Sequence, residues 1–223
     1  MAQKVLITGA AGALGSVVSE VFSAHGWDLM LLDVSDERIR TNFPQSRSAS
    51  LDLTNAEETH QHLQSWPTPD AVLNIAGGFS MQAAQDATSL DMKRMFDLNF
   101  QTLFNTVTAV LPGMIAQKRG FIAGISAGAG LSGGAGLALY SASKAAVALY
   151  LDALTPELAP HGIRVSTLYP MGAIDTPGNR VAMPKSNRNQ WIDPYQIAQA
   201  LMFLATRDAR GHVRELRIES IHP

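Results

Sequence analysis

The segment Thr8-Gly9-Ala10-Ala11-Gly12-Ala13-Leu14-Gly15 decides how the rest of the chain is read. It follows the apolar run KVLITG and opens a helical pattern over 14–25. A strand that ends in a glycine-rich turn and passes directly into a helix brings free amides and the positive end of a helix dipole to one point. That arrangement suits a pyrophosphate. Gly9 permits the tight turn, small residues let the backbone approach a ligand, and Gly15 allows the helix to pack closely on the sheet. Gly9, Ala11, Gly12, Ala13, Leu14 and Gly15 are therefore candidate cofactor contacts. A glycine-rich turn by itself is equally compatible with no ligand, so the surrounding pattern must carry the reading.

That pattern repeats strand and helix. The runs WDLMLLD, AVLNIAGG, GFIAGIS and IRVSTLYP are short, rich in branched residues and bounded by glycine, proline or polar clusters, as befits strands buried on both faces. Helical patterns are expected over 14–25, 55–65, about 89–117 and 139–159. A last helix over about 194–205 follows Asp193-Pro194, an N-cap with proline at the first helical position, and a closing strand lies at about 213–219. Alternation of this kind implies a parallel sheet with right-handed crossovers. The expected architecture is a single-domain, Rossmann-like, doubly wound sheet of about seven strands with helices on both faces, spanning 1–223. The stretch 175–190, dense in Pro, Asn, Arg and Lys without periodicity, reads as a substrate loop or lid.

Composition narrows the function classes. Hydrophobic residues make up 46% and charged residues 16% of the 223, a globular balance, and the net charge of −2 offers no basic face for nucleic acid. With no cysteine there is no disulfide, thiolate metal site or cysteine nucleophile, so redox chemistry must be borrowed from a cofactor. The N-terminal apolar stretch is too short for a signal peptide, and no run reaches the roughly 18 apolar residues of a membrane span. A cytoplasmic protein without nucleic-acid or membrane partners is expected. The six histidines show no metal-ligand spacing.

Asp33 ends the second strand about 20 residues beyond the turn, where a carboxylate accepts hydrogen bonds from an adenosine ribose and repels a 2′-phosphate. NAD(H) is therefore the expected cofactor. Arg38 and Arg40 lie near enough to keep NADP(H) in play. Asp52-Leu53, just past the presumed third strand, is placed to hold the adenine edge. Asn74, Ala76 and Gly77 end the fourth strand at the carboxyl edge, where ligands bind in open α/β sheets.

Tyr140 and Lys144 are four apart at the head of a helical pattern and so share one face. An ammonium beside a phenol favours phenolate and adapts tyrosine for general acid/base work. Such a pair alone is far more often a surface contact. Its context is more specific, because Tyr140-Ser141-Ala142-Ser143-Lys144 follows TGAAGALG, Asp33, Asp52-Leu53, NIAGG and Asn99 in order and spacing that resemble the short-chain dehydrogenase/reductase superfamily along essentially the whole chain.

The resemblance implies that Tyr140 exchanges a proton with the substrate oxygen, that Lys144 binds the nicotinamide ribose and lowers the tyrosine pKa, and that Asn99 completes a proton relay through water. The family's substrate-positioning serine falls on Ala127; Ser126 is the preferred replacement and Ser132 the other choice. Pro170, Ile174 and Thr176 are implied as contacts on the nicotinamide side, and the long helices imply a homodimer or homotetramer. Ala127, the AGG of 76–78 and the segment 175–191 also resemble dihydropteridine reductases in part, which implies a quinonoid substrate as the alternative. A silent nucleotide-binding sensor or scaffold and an isomerase or lyase retaining NAD are the competing classes.

Overall fold

A computed structural model describes residues 2–221. Seven parallel strands form one sheet: β1 (Lys4–Thr8), β2 (Asp28–Asp33), β3 (Arg47–Ser50), β4 (Ala71–Asn74), β5 (Gly120–Ile125), β6 (Ile163–Pro170) and β7 (Glu215–Ile218), in the order β3-β2-β1-β4-β5-β6-β7. Strand order reverses between β1 and β4, and the crevice beyond their carboxyl ends is where such sheets bind ligands.

Alternate residues of the central strands enter opposite cores, as the period of two demands. Val5 and Ile7 of β1 join Phe22 of α1 (Ala13–Ala24), while Leu6 between them faces the other way. The first core is closed by Ile197 and Leu201 of α9 (Pro194–Ala205). The second takes Leu63 of α3 (Ala56–Gln64), Val107 of α5 (Thr102–Gln117) and Leu151 of α7 (Ala138–Leu158). Val5, Leu6, Phe22 and Leu151 are completely buried, each side chain contributing about 1.5–3 kcal/mol.

Four local departures from the sequence reading bear on the site. A short helix α2 (Glu37–Asn42) follows β2, closed by the Asp36–Arg40 ion pair at 2.7 Å. The stretch expected as one helix over 89–117 is α4 (Ser89–Phe96), a π-helical turn (Asp97–Gln101) and α5. Thr88 and Asp91 form a reciprocal capping box that starts α4. β4 ends at Asn74, so Ile75–Gly78 is free to leave the sheet. The expected lid contains α8 (Pro177–Ala182), capped by Thr176 and started by Pro177, and a 3-10 turn (Arg188–Gln190). Its base is clasped where Asp175 N–H donates to the Ile192 carbonyl (2.9 Å) and Ile192 N–H to that of Ala173 (2.8 Å). No helix among the described residues is long and apolar enough to cross a membrane.

Candidate active site

Two clefts adjoin along the carboxyl edge of the sheet and share Leu14, Ile75 and Gly77. The first, about 680 Å³, is floored by the glycine-rich turn and bordered by Asp33, Asp52, Leu53, Ala76 and Thr176. Gly9 adopts φ 68°, and a Cβ there would stand 2.8 Å from the Ala76 amide nitrogen; a Cβ on Gly15 would collide with the Gly9 carbonyl. The N-cap of α1 is Gly12, which has no side chain to cap with, and the first turn carries no acidic residue. Helix geometry leaves the amides of Ala13, Leu14 and Gly15 without intrahelical acceptors, so the cleft presents donors and a positive dipole end. This donor set fits a dinucleotide pyrophosphate.

Asp33 borders the cleft but also supports the turn, accepting from Ala11 N–H (2.9 Å) and Val34 N–H (2.8 Å). Arg38 lines the same cleft, whereas Arg40 is held by Asp36. Asp52 accepts from both the amide and the hydroxyl of Thr54. Thr8, which sequence reading passed over, accepts from the amides of Ile75 (3.1 Å) and Ala76 (3.2 Å) and so fixes the exit from β4 against the turn. A threonine immediately before the glycines was the available signal. Asn74, expected to contact cofactor, is instead buried: its amide donates to the Ala123 carbonyl across to β5, away from both clefts.

The second cleft, about 710 Å³, contains Tyr140 and Lys144 together with Ser126, Ala127, Ser132, Pro170 and Ile174. Phe79 packs edge-on against the Tyr140 ring at 5.0 Å and limits its swing. Lys144 is 8% exposed and its ammonium donates to the Ile125 carbonyl at 2.9 Å. Burial pulls the Lys144 pKa down to about 8 and pushes that of Tyr140 up to about 12. The latter is opposite in direction to the implied lowering by lysine. Desolvation governs both groups because the ammonium is engaged at the end of β5.

Asn99 lies on the π turn, where the Thr102 amide reaches back five residues to Asp97. Such turns re-aim single residues and recur at functional sites. Its side chain, 1% exposed, accepts from Gly78 N–H (2.9 Å) and donates to the Gly78 carbonyl (3.1 Å) and the Ser143 hydroxyl (3.0 Å). Ser143 in turn donates to the Tyr140 carbonyl at 2.8 Å. Asn99 thus ties the 75–78 segment to the Tyr140 turn of α7. A Cβ on Gly77 would lie 2.7 Å from its Oδ1, so this approach depends on glycine.

Ser126 departs from expectation. Its hydroxyl, 1% exposed, donates to the Lys144 carbonyl at 2.8 Å and anchors α7 rather than offering its proton to the cleft. Ala127 brings no donor. Ser132 and Tyr140 are the hydroxyls of this lining without a side-chain hydrogen bond among the described residues. Arg180 of α8 is held by Asp175 through two contacts of 2.6 and 2.8 Å.

Residues 3–187 match the family model described as short chain dehydrogenase. A cyclopentanol dehydrogenase of Comamonas sp. (strain NCIMB 9872) is 30% identical, with 92% of this chain and 90% of that protein covered. Among solved structures, ElxO with NADP bound superposes with a TM-score of 0.85 at 23% identity, covering 97% of this chain and 98% of that one. The 3-ketoacyl-(acyl-carrier-protein) reductase of Brucella melitensis complexed with NADH gives 0.86 at 20% identity, covering 98% and 97%. These two share the fold and differ in the nucleotide they hold. The chain belongs to the short-chain dehydrogenase/reductase family and is an NAD(P)-dependent oxidoreductase.

Proposed function

We propose that the single domain interconverts a small carbonyl compound and its alcohol, with Tyr140 as the proton-transferring group and NAD(H) preferred. The observation that carries this reading is a half-buried phenol, its ring braced by Phe79, in the lining of a cleft that adjoins a nucleotide-shaped one. The nicotinamide, when bound, supplies or accepts the hydride at the substrate carbon. In reduction Tyr140 gives the proton of its Oη to the substrate oxygen, which becomes the hydroxyl; in oxidation the same atom takes that proton back. Lys144 brings positive charge to the same cleft from its anchor on the Ile125 carbonyl, and Asn99 keeps the Tyr140 turn and the 75–78 segment in fixed relation. Ala11, Gly12, Ala13 and Leu14 bind the phosphates, Asp33 the adenosine ribose, and Asp52 and Leu53 the adenine side. Ala76 and Gly77 flank the passage between clefts, and Pro170, Ile174 and Thr176 border the nicotinamide side.

Asp33 supports NAD(H), since a second carboxylate-repelled phosphate has no place beside it; Arg38 is the group that would hold that phosphate if the preference were reversed. The cyclopentanol dehydrogenase relative supports an alcohol as the reduced partner. The test is NADH consumption over a panel of carbonyls by the wild type and Tyr140→Phe. Turnover surviving that substitution would refute the assignment. Ala127 favours a second reading, reduction of a quinonoid compound that needs no serine hydroxyl; faster NADH oxidation with quinonoid dihydropterin than with any ketone would establish it.

Assembly as a homodimer or homotetramer in the cytoplasm completes the proposal. Phe104 of α5 and Leu149 of α7 stand 41% and 72% exposed on the helices the family resemblance implies at such a contact. Light scattering at the monomer mass would refute it.

A further inference from the structure

The second cleft is almost without charge. Among the described residues its only ionisable side chains are Tyr140 and Lys144. The lid's nearby cation, Arg180, is neutralised by Asp175, and the Asn179 amide donates to the Ile174 carbonyl at 2.9 Å. A carboxylate or phosphate drawn into this space loses its water and meets, among the described lining residues, no cation except Lys144, whose ammonium already donates to the Ile125 carbonyl. Affinity here has to come from apolar contact, at about 25 cal/mol per Å².

Three methionines from three separate segments supply that contact. Met81 follows the 75–78 exit, Met171 follows β6, and Met183 ends α8; all three line the cleft. Met171 stands against Gly128, where an added Cβ would lie 3.2 Å from its Cα and 3.5 Å from its sulfur. The Met81 methyl lies 3.8 Å from the position of a Cβ on Gly136, and the Gln82 amide donates to the Gly136 carbonyl at 2.9 Å, which joins two of the walls. Yet Met81 is 56% and Met171 38% exposed, so each turns apolar surface into space that no protein group fills. Methionine is unbranched, polarizable and able to reshape itself around an apolar guest.

We infer that this cleft takes an uncharged, predominantly apolar ketone or secondary alcohol, sheathed by Met81, Met171 and Met183, and that it rejects carboxylate- and phosphate-bearing analogues. The reacting group rests on the carbonyl–alcohol reaction proposed above, while the methionine sheath concerns binding alone.

The two separate in one experiment on the full chain with NADH bound, carrying ¹³C-methyl methionine and titrated with cyclohexanone, a linear octanone and a ring-carboxylated cyclohexanone. The expected result is saturable movement of the Met81, Met171 and Met183 methyl resonances with the neutral ketones, and kcat/KM about 100-fold lower for the carboxylate, equivalent to ~2.8 kcal/mol. Met171→Lys should narrow that ratio by about tenfold, with NADH affinity unchanged. Methyl shifts with no turnover of any ketone would uphold the sheath and refute the proposed carbonyl–alcohol reaction. Carboxylate and ketone performing equally, turnover without movement of these methyls, or no shift with either neutral ketone would overturn the inference.

Discussion

The two clefts lie side by side on one sheet edge, yet they are built from different material. The first has a backbone floor, the amides of a glycine turn and a helix N-terminus in one strand–turn–helix unit, with walls from the ends of β2, β3 and β4 and the segments after them that bring in Asp33, Arg38 and Asp52. The second is side chains carried in from the 75–83 exit, the loop after β5, α7 and the lid. A site made of backbone tolerates little change of shape but is indifferent to most chemistry. A site made of side chains keeps its frame when one is exchanged, and changes its reaction.

Substitutions that separate the two clefts make this contrast testable. The largest effect expected is on turnover: Tyr140→Phe should lower kcat by about 10²–10⁴-fold, the usual worth of a positioned acid, while NADH fluorescence titration shows unaltered binding. Gly15→Val should do the reverse, weakening NADH binding by more than about tenfold because the new side chain meets the Gly9 carbonyl. If that variant binds NADH normally, the backbone account of the first cleft is wrong.

Lys144 lines the second cleft and gives it a pH signature. With its pKa lowered to about 8 in the folded chain, its charge is lost above that value, and kcat/KM for ketone reduction should decline by about tenfold per unit beyond it while Tyr140 still keeps its proton. Stability moves the other way. The unfolded lysine holds its proton up to 10.5, so between about 8 and 10.5 the unfolded chain binds more protons and folding gains as pH rises. Thermal melts of wild type against Lys144→Met should converge across that window; parallel curves would contradict the buried-lysine reading.

Smaller effects follow at two carboxyl-edge residues. Asp33→Asn should shift the NADH:NADPH preference by about tenfold toward NADPH, ~1.4 kcal/mol, without altering the neutral-ketone selectivity of the second cleft. Ser126→Ala should cost about 1 kcal/mol of stability through the lost bond to α7 and change kcat by less than about twofold. A large loss of kcat with unchanged stability would return the substrate-positioning role to Ser126.

The difference in material also explains what could be read in advance. The strand–turn–helix unit, the seven parallel strands and the Tyr140–Lys144 spacing are local or periodic, and hydrophobic pattern and glycine placement reveal them directly. Asn74 was misplaced because a strand-end asparagine looks the same whether it turns to a ligand or to the neighbouring strand; only β5 beside it decides. The lid looked structureless because α8 is six residues long and held by its Thr176 cap, its proline start and the Ile192 clasp rather than by periodicity.

The amino-acid sequence by itself determined the layered α/β architecture, the glycine turn and the one-turn spacing of Tyr140 and Lys144 on α7, because each depends on local or periodic pattern. Tertiary structure decided where protons and charges go. Ser126 is committed to α7, Asn99 is aimed by a π turn at Gly78 and Ser143, and Arg180 is cancelled by Asp175. Three methionines from separate segments line one cleft. A side chain's partner is set by what the fold brings within hydrogen-bonding reach, and that is a property of the packed chain rather than of any segment.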